Sequence, residues 1–248
     1  MLLENKVALV TGAGSGIGRA IAVSFAAEGA QVVVSDIDEP GGQATVEHIT
    51  SAGGKAVFFR ADTSSPRDSE ALVEEAVRRY QALHVAVNNA GIGGPIAPVG
   101  EYPIEGWDKV IAVNLSGVFY GMRHQLGAVV QSGGGSIVNI SSILGQVGYR
   151  GSAAYVSAKH GLIGLTRNAA LEYAPYKVRV NVVGPAFIRT PLIQGLTPDV
   201  LKRLEGQHPI GRLGESSEVA ELVLWLASDK ASFVTGSYYA IDGGYLAQ

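Results

Sequence analysis

Short, nearly continuous apolar runs alternate along this chain with longer segments in which apolar positions return every third or fourth residue. Residues 6–11, 31–36, 55–61 and 83–88 are runs of the first kind. Strands wet on one face would alternate apolar with polar positions, so these runs predict parallel strands buried on both faces. Between them, 16–28 has helical spacing and stops at Gly29, and 41–52 stops at Gly53-Gly54. The segment 66–80 opens on Pro66 behind Ser64 and Ser65, either of which can cap it. This order of strands and helices predicts an α/β doubly wound, Rossmann-type sheet, mostly parallel, with helices on both faces.

The second half keeps the alternation. A long helix is expected over 107–131, a glycine turn at 132–135, a strand over 136–141, a helix over 153–173 and a strand over 177–183. Regular patterning lapses over 184–214, where Pro and Gly punctuate the chain and one short helix is expected near 198–205. A long irregular insertion in a compact domain usually closes over a ligand, so a substrate lid is expected over about 187–212. A helix over 215–227 and an edge strand over 237–241 complete the pattern. No linker or shift in composition divides the chain, which reads as one domain over 1–248.

Composition removes several classes of function. Nineteen basic and 22 acidic residues leave a formal charge of −3 with no basic run, so neither nucleic acid nor a membrane surface is an expected partner. There is no cysteine, and His48, His84, His124, His160 and His208 are scattered, so neither a disulfide nor a metal site is expected. Residues 1–6 enter a strand without the layout of a signal peptide, and no apolar run has the length of a membrane span; a soluble, cytoplasmic protein is expected.

Candidate chemistry begins where the first strand runs into Thr11-Gly12-Ala13-Gly14-Ser15-Gly16-Ile17-Gly18 and then a helix. Glycines there allow a tight turn and close backbone approach, and the free N–H groups at the helix start favour a pyrophosphate. Asp36 ends the second strand eighteen residues beyond Gly18. A carboxylate at that place accepts from both ribose hydroxyls of NAD and repels a 2′-phosphate. Ile37 follows it and Ser15, not Arg or Lys, stands in the loop, so NAD is expected over NADP. Tyr155 and Lys159, four apart in a stretch that reads as helix, share one face. An ammonium beside a phenol stabilises the phenolate, lowering a pKa that is ordinarily near ~10, and so points to proton transfer.

Taken in order, Thr11-Gly12-x3-Gly16-x-Gly18, Asn88-Asn89-Ala90-Gly91, Asn114, Ser142 and Tyr155-x3-Lys159 resemble the short-chain dehydrogenase/reductase family over nearly the whole chain. The resemblance implies a catalytic set of Asn114, Ser142, Tyr155 and Lys159, with Ser142 chosen over Ser141 because it lies thirteen residues before the tyrosine. It also implies a cofactor site in which Gly12, Ser15, Gly16, Ile17 and Gly18 meet the phosphates, Asp36 and Ile37 the adenosine ribose, and Asp62 and Thr63 the adenine. Asn89, Ala90 and Gly91 would back the cofactor, and Tyr155, Lys159, Pro185, Ile188 and Thr190 would lie around the nicotinamide end. One departure stands out: Ala186 occupies the place of a customary glycine after Pro185, which either changes the turn or narrows the pocket.

The chemistry implied is hydride transfer between a nicotinamide and a carbonyl carbon, with Tyr155 exchanging the oxygen's proton. Lys159 would tune that tyrosine and hold the nicotinamide ribose, Ser142 would orient the substrate oxygen, and Asn114 would anchor a water in a proton relay. The pocket is expected to be closed by 93–96, 143–149, Ala186-Phe187 and the lid, with Gln146, Tyr149, Gln194 and His208 as polar contacts. No cationic cluster marks a phosphate or carboxylate, so the substrate is expected to be a neutral secondary alcohol or its ketone. The resemblance further implies a homotetramer paired through the two long helices and the final strand. Two competing readings are a 3-oxoacyl-[acyl-carrier-protein] reductase using NADPH and a non-catalytic nucleotide-sensing module.

Overall fold

The structure, a computed structural model, describes residues 1–193 and 195–248. In chain order its strands are β1 (Val7–Thr11), β2 (Gln31–Asp36), β3 (Lys55–Arg60), β4 (Val85–Asn88), β5 (Gly135–Ile140), β6 (Val178–Pro185), β7 (Ile188–Arg189), β8 (Gly214–Glu215) and β9 (Tyr238–Ile241). The helices are α1 (Gly16–Ala27), α2 (Glu39–Ser51), α3 (Pro66–Tyr80), α4 (Ile104–Ile111), α5 (Gly117–Gln131), α6 (Ala153–Tyr173), α7 (Pro198–Glu205) and α8 (Ser216–Ala227). Seven strands form one sheet in the order β3-β2-β1-β4-β5-β6-β9, and every neighbouring pair is parallel.

Successive residues of a strand point to opposite faces, which explains why the apolar runs are continuous. Ala8 and Val10 of β1 face a layer containing Ile21 and Phe25 of α1 and Val223 of α8. Leu9 between them faces the other layer, with Leu72 of α3, Met122 of α5 and Leu162 of α6. Truncating Leu9, which is fully buried, to alanine would cost about 2–5 kcal/mol, as for other large-to-small changes in packed cores.

The strand order reverses between β1 and β4, so their carboxyl ends lie side by side with helices departing to opposite faces. That junction is where an open α/β sheet leaves a crevice for a ligand. The end of β5 follows next to β4, which brings Ser141 and Ser142 to the same rim.

Two expectations need correction. The helix expected over 107–131 is divided: α4 starts earlier, at Ile104, and a π-helical turn at Ala112–Ser116 separates it from α5. The lid is also more tightly organised than its composition suggests, because Ile188 pairs with Gly214 and Arg189 with Glu215, tying its two ends together. Its short helix is α7, as expected. By contrast α3 has the expected bounds, with the Ser65 hydroxyl accepting from the Asp68 N–H at 3.2 Å as its cap. No helix among the described residues is long and apolar enough to cross a membrane.

Candidate active site

The glycine loop after β1 is fastened to the turn after β4. The buried Thr11 hydroxyl accepts from the N–H groups of Asn89 at 3.0 Å and Ala90 at 3.2 Å, while the Asn89 amide donates to the carbonyls of Thr11 at 2.9 Å and Gly12 at 3.1 Å. Asn89 therefore serves the loop's backbone with its side chain. Gly12 and Gly16 have positive φ of 63° and 51°, which glycine alone adopts cheaply. A methyl at Gly18 would overlap the Gly12 carbonyl and the Asn89 amide, so the loop closes only without side chains. Ser15 caps α1 in extended conformation and offers no side-chain hydrogen bond to it, leaving the first-turn N–H groups for a ligand.

At the far end of this cradle the Asp36 carboxylate accepts from the N–H groups of Gly14 at 2.8 Å and Asp38 at 3.0 Å. These two bonds fix its direction. Exposed Ile37 stands beside it. Asp62 is exposed, and its Oδ1 accepts from the Ser64 N–H and hydroxyl at 2.9 and 2.7 Å; the Thr63 carbonyl lies against Gly117. The Arg19 guanidinium, which the sequence reading passed over, bonds the Gly14 carbonyl, the Gly41 carbonyl at 3.3 Å and the Thr45 hydroxyl at 3.0 Å. Its place directly after Gly18 was the signal available: a cation there braces the loop from below.

At the other end of the crevice Ser142, Tyr155 and Lys159 come together. The Ser142 side chain favours ionisation of the Tyr155 phenol, and its hydroxyl accepts from the Leu144 N–H at 3.1 Å and reaches the Pro185 carbonyl at 3.5 Å. Ser141 faces away, donating to the Lys159 carbonyl at 2.8 Å. The Lys159 ammonium is buried, donates to the Ile140 carbonyl at 2.8 Å and stands over the Tyr155 ring, 5.4 Å from its centroid. Burial pushes that ammonium down to about 8.

The expected lowering of Tyr155 by Lys159 does not follow from this packing. Burial pushes the Tyr155 phenol above its ordinary value, and the neighbouring Ser142 only partly opposes it. The cation sits over the ring and is itself driven toward neutrality, which weakens its hold on the phenolate.

Asn114 lies in the π-helical turn, fully buried. Its Oδ1 accepts from the Ile92 N–H and its Nδ2 donates to the Ile92 carbonyl, both at 2.8 Å. The side chain is thus committed to the loop after β4, leaving its own main-chain groups for any water relay. A methyl at Gly91 would stand 3.2 Å from Asn114 Oδ1 and 3.7 Å from Lys159 Nζ, which places Gly91 between the two.

Opposite the glycine loop, Thr190 and Pro191 lie 3.3 and 3.6 Å from where a Gly16 methyl would be, so these two residues face the loop, while Ile188 packs in the core. Ala186 is not among the residues with positive φ, and its N–H donates to the Ile241 carbonyl at 3.1 Å; the turn is one that alanine enters without strain. Tyr238 of the final strand donates its hydroxyl to the Ser142 carbonyl at 3.1 Å. Tyr149, Phe187, His208 and Tyr245 pack as an aromatic wall, with ring centroids 5.8 to 6.3 Å apart in the pairs that touch. Gln194 lies outside the described residues. No group of three or more His, Asp or Glu side chains that could hold a metal ion occurs among the described residues.

Residues 12–246 match a family model described as enoyl-(acyl carrier protein) reductase. The chain is 50% identical over 245 residues to a cyclohexanol dehydrogenase from Acinetobacter sp. strain SE19, covering 99% of this chain and 96% of the relative. It is 44% identical over 243 residues to cis-4-hydroxycyclohexanecarboxylate dehydrogenase from Sinomonas cyclohexanicum, covering 98% and 97%. Among solved structures, a short-chain type dehydrogenase/reductase from Mycobacterium marinum superposes with a TM-score of 0.95 at 34% identity, over 99% of this chain and 97% of that one.

Proposed function

The chain belongs to the short-chain dehydrogenase/reductase family, and from that membership we propose an NAD-dependent dehydrogenase that interconverts a neutral cyclic secondary alcohol and its ketone, with Tyr155 as acid and base. The observation that carries this reading is the Lys159 ammonium over the Tyr155 phenol, with Ser142 beside it favouring the ionised form, set at one end of a glycine cradle whose other end holds Asp36. The ring-bearing alcohols named for the two relatives support a cyclic substrate.

The cradle fits a dinucleotide. Gly12 and Gly18 leave no room for a side chain, Gly16 holds a positive φ of 51°, and the uncapped first turn of α1 suits a pyrophosphate. Gly12 and residues 15–18 would hold the phosphates, with Asp36 and Ile37 at the adenosine ribose and Asp62 and Thr63 at the adenine. Asn89, Ala90 and Gly91 would back the chain of the cofactor; Pro185, Ile188 and Thr190 would meet its nicotinamide. When bound, the nicotinamide supplies the hydride acceptor for alcohol oxidation. Tyr155 takes the hydroxyl proton, so the oxygen's electron pair is released toward the carbonyl as the carbon–hydrogen bond breaks. Ser142, beside that phenol, orients the substrate oxygen and stabilises the charge that develops on it. Lys159 would hold the nicotinamide ribose and, from its place over the phenol ring, would pass protons on past Asn114.

The carrier-protein reading is the weaker one. Asp36 stands where a 2′-phosphate would lie, and Asp199 and Glu205 of α7 offset Lys202 and Arg203, so α7 offers no basic docking face. A cytoplasmic homotetramer belongs to the proposal as well; exposed Phe119 on α5, Leu171 on α6 and Phe233 before β9 are apolar surfaces of the kind subunits cover. Incubation with NAD or NADP and a panel of cyclic and linear secondary alcohols, read by near-ultraviolet absorbance of the reduced cofactor, tests the enzyme. NAD-linked oxidation of cyclic alcohols is expected, and equal kcat/KM with NADP would refute the cofactor assignment. A monomer by light scattering at micromolar concentration would refute the assembly.

A further inference from the structure

Ser142 is held by its backbone as well as by its hydroxyl, and one of the groups that hold it comes from the edge of the sheet. Its carbonyl accepts twice, from the Gly145 N–H at 2.9 Å within the turn Ile143–Gly145 and from the Tyr238 hydroxyl at 3.1 Å. Both lone pairs of that carbonyl are thereby used. The first bond is local, whereas the second joins residues 96 apart in the chain.

The path of the second bond is specific. Tyr238 opens β9, which pairs with β6, and β6 in turn separates it from β5, whose end leads into Ser142. Two strand spacings, roughly 9–10 Å, have to be crossed. Tyr238 stands opposite Val182 in the register, and its ring runs along β6 to lie over Gly184. A methyl at Gly184 would overlap the phenol ring and its oxygen, yet Gly184 is not among the residues with positive φ. Room for Tyr238, rather than backbone conformation, is what calls for glycine there. Burial pushes the Tyr238 phenol up to about 12, with the Asp242 carboxylate adding to the rise, so the hydroxyl keeps its hydrogen at neutral and mildly alkaline pH. The next residue, Tyr239, points to the opposite face and packs against Trp225 at 6.1 Å.

We propose that Tyr238 is a positioning residue for the reaction: laid over Gly184, it fixes the main chain at Ser142 and so the place of the serine hydroxyl against the substrate oxygen. This rests on the dehydrogenase reading above and adds to it a residue that acts through Ser142. Without the Tyr238 bond the Ser142 carbonyl keeps only the Gly145 N–H, and the turn Ile143–Gly145 is free to tilt about the end of β5. A hydroxyl displaced in this way still lies in the pocket but meets the charge developing on the substrate oxygen less well, so the loss falls on the transition state and not on binding.

Tyr238→Phe keeps the ring over Gly184 and removes the hydroxyl. With the best substrate of the alcohol panel, kcat should fall roughly threefold to tenfold, the weight of one hydrogen bond, while KM for NAD stays at the wild-type value. In a Ser142→Ala background, followed over hours at high enzyme concentration, adding Tyr238→Phe should cost nothing further, because the group it positions is already gone. Tyr239→Phe, a control on the other face, should match the wild type. A wild-type kcat in Tyr238→Phe overturns the inference, as does a loss expressed in KM for NAD or one that repeats in full on Ser142→Ala. If the wild type oxidises no alcohol, the dehydrogenase reading fails, and amide hydrogen exchange at Leu144 and Gly145 decides the positioning separately. Faster exchange in Tyr238→Phe than in wild type then supports it, and equal exchange overturns it.

Discussion

Asn114 returns both of its side-chain hydrogen bonds to a single residue, accepting from the Ile92 N–H and donating to the Ile92 carbonyl at 2.8 Å each. The pair joins the π-helical turn to the loop that carries Gly91 past Lys159. Asn114→Leu would strand two partly buried backbone groups, each worth up to about 1–3 kcal/mol when left unpaired. We expect a lower thermal midpoint together with a fall in kcat that exceeds the rise in KM for NAD. Calorimetry and steady-state kinetics on one preparation read both, and a variant with wild-type kcat would show that this link carries no catalytic geometry.

Tyr155→Phe keeps the ring that lies under the Lys159 ammonium and removes the hydroxyl whose ionisation Ser142 favours. The fold and NAD affinity should be close to wild type, while turnover drops by at least the ~10²–10⁴ typical of a lost acid–base group. Because burial holds the phenol above its ordinary value, alcohol oxidation by the wild type should climb with pH through about 7 to 10 as more phenolate forms. A profile flat over that range would contradict a phenolate base.

Lys159 gives a stability prediction of definite sign. Burial lowers its folded-state value from 10.5 to about 8, so between those values the unfolded chain binds more protons than the folded one. The protein should therefore gain stability as pH rises through that window and lose it as pH falls through about 8. Lys159→Met, which removes the buried charge, should flatten this rise and lift the midpoint near pH 7 by a few degrees, at roughly 2–4 °C per kcal/mol for a chain of this size. Thermal melts at pH 7, 8.5 and 10 on both proteins check it.

Asp36→Ala frees the N–H groups of Gly14 and Asp38 and withdraws the charge opposed to a 2′-phosphate. KM for NAD should rise about tenfold or more, as expected for the loss of charge-assisted bonds worth about 1.5–3 kcal/mol, while KM for NADP falls. An unchanged ratio of the two cofactors would remove Asp36 from cofactor selection.

Strands and most helices were legible because burial on both faces writes continuous apolar runs into β1, β2 and β5, and because Ser65-Pro66 and Gly29 are local start and stop signals. The glycine loop, Ser142, Tyr155 and Lys159 were legible from type and order. What escaped was long-range in origin. The π-helical turn is stabilised by Ile92, 22 residues from Asn114, and nothing in 107–131 itself records it. The raised Tyr155 phenol and the Tyr238 hydroxyl on the Ser142 carbonyl likewise depend on packing between elements distant in sequence. Ala186 was flagged as a departure, yet only its backbone conformation shows that the turn never required glycine.

The Lys159 ammonium is buried on a neutral carbonyl, and none of the ion pairs among the described residues includes it. The pocket therefore holds an uncompensated positive potential whenever the lysine is protonated. A species that becomes anionic for an instant, phenolate or alkoxide, relieves that imbalance at the moment it forms and restores it on departure. The field of the site thus favours the transient over the resident, a bias against retaining either the neutral alcohol or the neutral ketone.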